Sequence, residues 1–218
     1  MAKLCLGYSV NDNQSCMLSI LLHVNENHTR DWKPPNNLQT PTFLIPHAHR
    51  IRRLSILSPL SLRSLILPQL KDLEILVPGF EAHPQMDIPT LLQRSGNILT
   101  RLSVGYILDC RTLLEYTPYI RKLVIEGTLT EEVMKEIANG RLGAALREIK
   151  CTVALYDCDV FLDMIEARAP TSMEGNEVGS VRAITKVGIQ CVDFSLDARQ
   201  WARIGSLATG VQFDIVEG

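Results

Sequence analysis

An α/β fold of stacked strand-and-helix units is what this sequence predicts, and three observations predict it. Residues 119–151 read as strand, helix and strand, with Ile120, Leu123 and Ile125 spaced like Leu146, Ile149 and Cys151. A unit of this kind cannot bury its own apolar face, so its recurrence implies neighbours that share one core. The chain is 46% hydrophobic but only 6% aromatic, which makes that core mainly aliphatic. At 218 residues it is long enough for one sizeable domain or one continuous stack.

The spacing L-x-x-L-x-L can be followed along the chain. It falls on Ile51/Leu54/Ile56, Leu70/Leu73/Ile75, Leu99/Leu102/Val104, Ile120/Leu123/Ile125, Leu146/Ile149/Cys151 and, more loosely, Val181/Ile184. The intervals between first positions are 19, 29, 21, 26 and 35 residues. All but the last lie in or at the edge of the range of leucine-rich repeats, about 20–29 residues. The last needs an insertion, visible as the polar, glycine-containing stretch 170–179. The expected architecture is therefore α/β: an irregular leucine-rich-repeat solenoid with a mainly parallel curved sheet and helices on the other face.

Ahead of this frame, the aliphatic run 17–24 is short enough to be a strand that opens the sheet, and 25–41, with Pro34-Pro35-Asn36-Asn37 at its centre, reads as an exposed loop. Ile88, Leu91 and Leu92 have helical spacing, as do Leu108, Leu113 and Leu114 before Pro118. The clearest helix runs over 131–139. Thr128 or Thr130 caps it, Glu131 and Glu132 sit at the positive end of its dipole, Val133, Met134 and Ile137 form its buried face, and Gly140 stops it. Another is expected over 160–169 behind Asp157 and Asp159, with Phe161, Leu162 and Ile165 inward. A last helix, 196–209, opens at Ser195 and closes at Gly210, and Val211, Phe213 and Ile215 alternate in a final strand. Residues 1–46 thus form an N-terminal strand and loop, 47–195 the repeat units, and 196–218 a helix and strand that cap the open edge of the stack.

Lys and Arg number 22 against 24 Asp and Glu, a net charge of −2, which offers no overall field for gathering nucleic acid or an anionic membrane. The six cysteines contain no C-x-x-C pair and Cys151 holds a core position, a spread that suits a reducing, intracellular compartment. The apolar run 4–10 is too short for a secretory signal, and 16–24 is about half a membrane span. His47 and His49 flank Ala48 at a spacing a metal could use, but without nearby Cys or carboxylate ligands they read as loop histidines. Cys158 lies between Asp157 and Asp159, whose charges raise a thiol pKa, so the two acids read as helix caps rather than as partners of a nucleophile. There is no paired-carboxylate motif, and Gly140 to Gly143 lacks the lysine and the preceding strand of a phosphate loop. The expectation is a non-enzymatic protein without catalytic residues, cofactor or metal. The alternatives are a solenoid remnant with no partner and an α/β enzyme.

Alternation along the strands predicts that Arg53, Asp72, Glu74, Arg101, Lys122, Glu126, Glu148 and Lys150 share the outward face of the sheet. Four positive and four negative side chains make a mixed face, which suits a protein partner better than a polyanion.

The order of the segments PHAHRIRRLSI, LPQLKDLEILVP, LLQRSGNILTRLSV, LLEYTPYIRKLVIEGTLTEEVMKEIANG and LREIKC resembles the leucine-rich half of the large F-box protein family of mushroom-forming fungi. The resemblance covers residues 17–218. It implies a surface that presents a protein substrate to an SCF-type ubiquitin ligase, whose adaptor docks on an amino-terminal F-box. No F-box is expected before Met17, so the adaptor would be a partner only of a longer product. This chain also has Ile51 where the family often has Trp. It lacks the asparagine that closes regular repeats, with Pro59, Pro78, Ile107, Thr128 and Ala154 in those places, which predicts an irregular stack.

Overall fold

Extended backbone forms wherever the aliphatic frame recurs with β-compatible residues between. The structure, a computed structural model, describes residues 2–9, 17–24, 48–56, 62, 65–75, 88–95, 98–105, 109–154, 157–170, 181–191 and 195–217. The strands are β1 (Ala2–Ser9), β2 (Met17–Val24), β3 (Ile51–Ile56), β4 (Asp72–Ile75), β5 (Arg101–Gly105), β6 (Lys122–Glu126), β7 (Glu148–Val153), β8 (Lys186–Cys191) and β9 (Gln212–Glu217). The helices are α1 (Ile88–Ser95), α2 (Cys110–Glu115), α3 (Glu131–Ala138), α4 (Cys158–Arg168) and α5 (Ala198–Leu207).

Among the described residues the nine strands belong to one sheet in chain order. β1 is antiparallel to β2, and every later neighbour pair is parallel. The shared sheet expected through Leu73, Leu102, Leu123 and Ile149 is present, with these four side chains directly in register. Leu54 extends that row on one side, and Val187 and Phe213 on the other. The inward strand residues and the buried faces of α1 to α4 pack into one aliphatic cluster. Parallel strands need return crossovers, and the helices supply them between β4 and β9.

One hydrogen-bond arrangement repeats at the strand starts. The carbonyl of Lys71 accepts from the N–H of Thr100 (2.8 Å) and of Arg101 (3.0 Å). The carbonyls of Thr100, Arg121 and Arg147 likewise each accept two consecutive N–H groups, from Arg121 and Lys122, from Arg147 and Glu148, and from Thr185 and Lys186. Single bonds from Lys71 N–H to Arg52 O and from Gln212 N–H to Thr185 O extend the series at 2.8 Å each. These bonds stack the residue that precedes each strand core into a single file along the amino-terminal edge of the sheet. Register is lost at the other end, where Thr152 N–H donates to Gly127 O at 3.1 Å, past the last regular β6–β7 pair, Val124 with Lys150.

Several local expectations are corrected. The last repeat frame is Ile184/Val187/Ile189, not Val181/Ile184: Ile184 is fully buried whereas Val181 is 43% exposed. Its interval from Leu146 is therefore longer still, because the insertion displaces the frame. α3 is capped by Thr130, whose hydroxyl accepts from Val133 N–H, and not by Thr128. α4 starts at Cys158, two residues earlier than expected, and Asp157 stands at its N-cap without a side-chain bond to the helix. α5 opens at Asp197, not Ser195, through a capping box in which Asp197 and Gln200 satisfy each other's backbone N–H. Gly140 ends α3 as expected, at φ +75°. A Cβ there would also lie 2.5 Å from Val181 Cγ2, so two independent constraints call for glycine. His47, the loop 25–41, Leu108 and the core of the insertion lie outside the described residues.

Candidate binding face

Successive side chains of a strand point to opposite faces, so the register assigns each outward residue a place. One row across the sheet is Arg53, Asp72, Arg101, Lys122, Glu148 and Lys186. The next is Ser55, Glu74, Ser103, Val124, Lys150 and Gly188, continued by Asp214. Glu126 lies one step further along, beside Gly105. All eight residues expected on the outward face are therefore brought together on it. From β3 to β7 they cover four strand spacings, roughly 19 Å.

Part of the charge on this face is neutralised internally. Lys122 Nζ lies 2.6 Å from Glu148 Oε2, and Arg53 approaches Glu74 Oε2 at 4.0 Å. The Ser55 hydroxyl donates to the same Glu74 oxygen at 2.7 Å. Ser55 and Ser103 flank Glu74 and are themselves buried, so the face is relieved rather than flat. The stem of Lys150 lies across the backbone of Gly188: a Cβ on that glycine would stand 2.8 Å from Lys150 Cγ. Gly188 is what lets a long side chain lie over β8.

The sequence reading missed the far third of the face. Lys186, Gln190 and Asp214 also point outward, because β8 and β9 continue the register. The signal was available: Val187, Ile189 and Cys191 alternate strictly with Lys186, Gly188 and Gln190. It was masked by the insertion, which made Val181 look like the frame's first position. Ser95 is a second omission. It is buried at the end of α1, and its hydroxyl accepts from Leu67 N–H at 2.8 Å, tying the helix to the turn that enters β4.

Cys110, Cys151 and Cys158 are placed where their thiols are raised. Cys158 is buried in the first turn of α4, and its thiol is pushed up to about 11 by burial first, then by Cys191, Asp159 and Asp197. Asp159 does not cap the helix but pairs with Arg203 at 3.2 Å. Cys110 is likewise pushed up to about 11 by burial and the Asp109 charge, and Cys151 is raised further by burial. His49 is exposed in a 3₁₀ turn ahead of β3. Among the described residues no group of three His, Cys, Asp or Glu side chains could hold a metal ion, and no helix is long and apolar enough to cross a membrane.

Comparison with protein-family models finds no match for this chain, and comparison with curated proteins finds none either.

Proposed function

We propose that the chain is a non-enzymatic protein–protein interaction module: an irregular leucine-rich-repeat solenoid similar to the substrate-recognition region of F-box proteins of SCF-type ubiquitin ligases. One observation carries the reading. Five successive frames lie side by side in a parallel sheet, in the order of the chain, and project Arg53, Asp72, Glu74, Arg101, Lys122, Glu126, Glu148 and Lys150 to one side. A broad, relieved surface of mixed charge gives a protein partner complementary positions without demanding a cofactor. The ligase adaptor enters only for a product that carries an F-box.

The test is photo-crosslinking in fungal cells with a reactive amino acid at Lys150, at Glu126 and, as a control, at Glu132 on α3. The reading expects one protein to be joined from both sheet positions and not from the helix position. Glu74→Lys combined with Lys150→Glu should abolish that product. Equal crosslinking from the helix, or none from the sheet, would remove the reading.

A further inference from the structure

The charge of this chain is sorted along its strand direction. The shared-carbonyl hydrogen bonds align Arg52, Lys71, Thr100, Arg121, Arg147 and Thr185 in one file at the amino-terminal edge of the sheet. Four of the six are cations and none is an acid. The adjoining outward row adds Arg53, Arg101, Lys122 and Lys186 against Asp72 and Glu148. Eight cations therefore stand with two acids in the file and the row beside it, in a chain that has 22 of the one and 24 of the other. Lys71, Arg121 and Arg147 are exposed, and among the described residues no ion pair engages them. Six acids lie toward the opposite edge, where strands end and helices begin: Asp109, Glu126, Glu131, Glu132, Asp157 and Asp197. Glu115, Glu136 and Glu166, in the last turns of α2, α3 and α4, are engaged by Arg111, Arg141 and Arg203. Helix dipoles favour this sorting, since helix amino termini attract acids, but they act within the first and last turns and do not require a file of exposed cations across several strands.

The same rim carries apolar surface. Of the five exposed large hydrophobics among the described residues, three stand in segments that enter strands: Ile66 before β4 at 53% exposure, Tyr119 before β6 at 61%, and Val181 before β8 at 43%. Cations alone would suit any polyanion. Tyr119 offers a ring that either a base or an apolar side chain can cover, but Ile66 and Val181 have no stacking face, and exposed aliphatic side chains on the same rim as the cations favour a ligand that has both acids and apolar groups. Strand spacing of about 4.8 Å puts neighbouring cations within reach of successive acidic side chains of an extended peptide.

We infer that the amino-terminal rim, over Lys71, Arg121 and Arg147 with Tyr119 between, docks an acidic polypeptide segment that also carries apolar residues. This site rests on the interaction-module reading but is separate from Glu74, Glu126 and Lys150. Attraction is expected to fall as salt shortens the screening length from about 10 Å at 0.1 M.

The test is fluorescence anisotropy with a labelled peptide of Asp and Glu with Leu at every third position. Three companions accompany it: the same peptide with Ser for Leu, with Lys for the acids, and an oligo-dT strand. The acidic Leu peptide should bind in a salt-dependent manner and tightest of the four, and the Lys peptide not at all. Lys71→Glu/Arg121→Glu/Arg147→Glu should weaken it by about tenfold or more, the neutral Gln versions by less. Both triple variants should keep the wild-type circular dichroism, because the altered side chains are exposed. No binding of the acidic Leu peptide, equal binding of oligo-dT or of the Ser peptide, or indifference to the rim variants would overturn the assignment. Glu74→Lys/Lys150→Glu should leave peptide binding in place. If the peptide fails while that face variant still abolishes the cellular crosslink, only the rim assignment falls.

Discussion

Cys158 lies in the first turn of α4 with its thiol raised to about 11, so on the order of one molecule in a few thousand is thiolate at pH 7.5. The folded protein is expected to leave Cys158 and the more deeply raised Cys151 unalkylated by N-ethylmaleimide at that pH, while unfolding in guanidinium exposes both. Peptide mapping by mass spectrometry reads this, and rapid native alkylation of either would refute the burial argument. Asp109 is the reverse case. It caps α2, and its carboxyl is held below the usual range by the Thr112 hydroxyl first, against opposing burial, and then by the N–H groups of Thr112 and Arg111. Asp109→Ala should cost about 1 kcal/mol at neutral pH. A lowered folded pKa means the contribution is complete above the ordinary carboxylate value of about 4 and disappears as pH falls through the lowered one. Urea titrations of both proteins at neutral and acid pH should therefore converge in acid, and a gap that widens there would contradict the sign. These details were only partly legible in the sequence. Thr130, Gly140 and the acids of α3 follow local rules, whereas Asp159 lies inside the first turn of α4 and pairs with Arg203, a residue 44 positions distant.

At the scale of elements, α5 is attached by a small apolar contact, Ile204 with Leu207 beside it, and by charge. Only Gln200 and Ile204 of its residues are buried, while Arg203 reaches Asp159, Asp163 and Glu166 along one side of α4. Its guanidinium is held well above its ordinary value, by the hydrogen bond to Glu166 first. Arg203→Ala should let α5 exchange its amide hydrogens faster by about tenfold or more while β5 to β7 keep their protection. Unchanged exchange in α5 would show that Ile204 and the capping box hold it alone. The end of α4 is secured differently. Arg168 is 4% exposed and donates to the carbonyls of Arg182, Ile137, Gly143, Ala144 and Leu146, with no carboxylate partner among the described residues. It joins α3, the turn before β7 and the segment after the insertion. The carbonyls of Ile137, Gly143 and Ala144 also accept backbone N–H groups, so Arg168→Leu removes a second donor from these and the side-chain donor from those of Arg182 and Leu146. It should cost about 1–3 kcal/mol in denaturant unfolding, and a near-neutral result would mean that water replaces the guanidinium.

For the molecule as a whole, the inward row Leu73, Leu102, Leu123 and Ile149 is the spine of the core, each residue nearly fully buried. Leu102→Ala should cost roughly 2–5 kcal/mol. Phe213→Leu in β9 should cost less than Leu102→Ala, because Phe213 is only half-buried at the edge of the sheet. Equal penalties would mean that the edge strand is packed as tightly as the middle. The balance of charge belongs to the same scale. A net charge near zero excluded a global field, but sorting along the strands leaves one edge basic and the other acidic, and net charge is blind to that separation.

The sequence by itself determined the unit: an aliphatic frame that recurs at helix-length intervals, hence strands, crossover helices and one core, because a 2.0-residue and a 3.6-residue period are both local properties. It also determined which side chains alternate outward on β3 to β7. Only the tertiary structure decided which residues become lateral neighbours. Register is set between segments 19 to 38 residues apart, through hydrogen bonds such as Ser55 to Glu74 and Thr185 to Arg147, and an insertion of unknown reach breaks any count made along the chain. For that reason β3 to β7 were read in their true frame and β8 was not. The basic file at the strand starts came into view only when backbone carbonyls had stacked residues that no short stretch of sequence brings together.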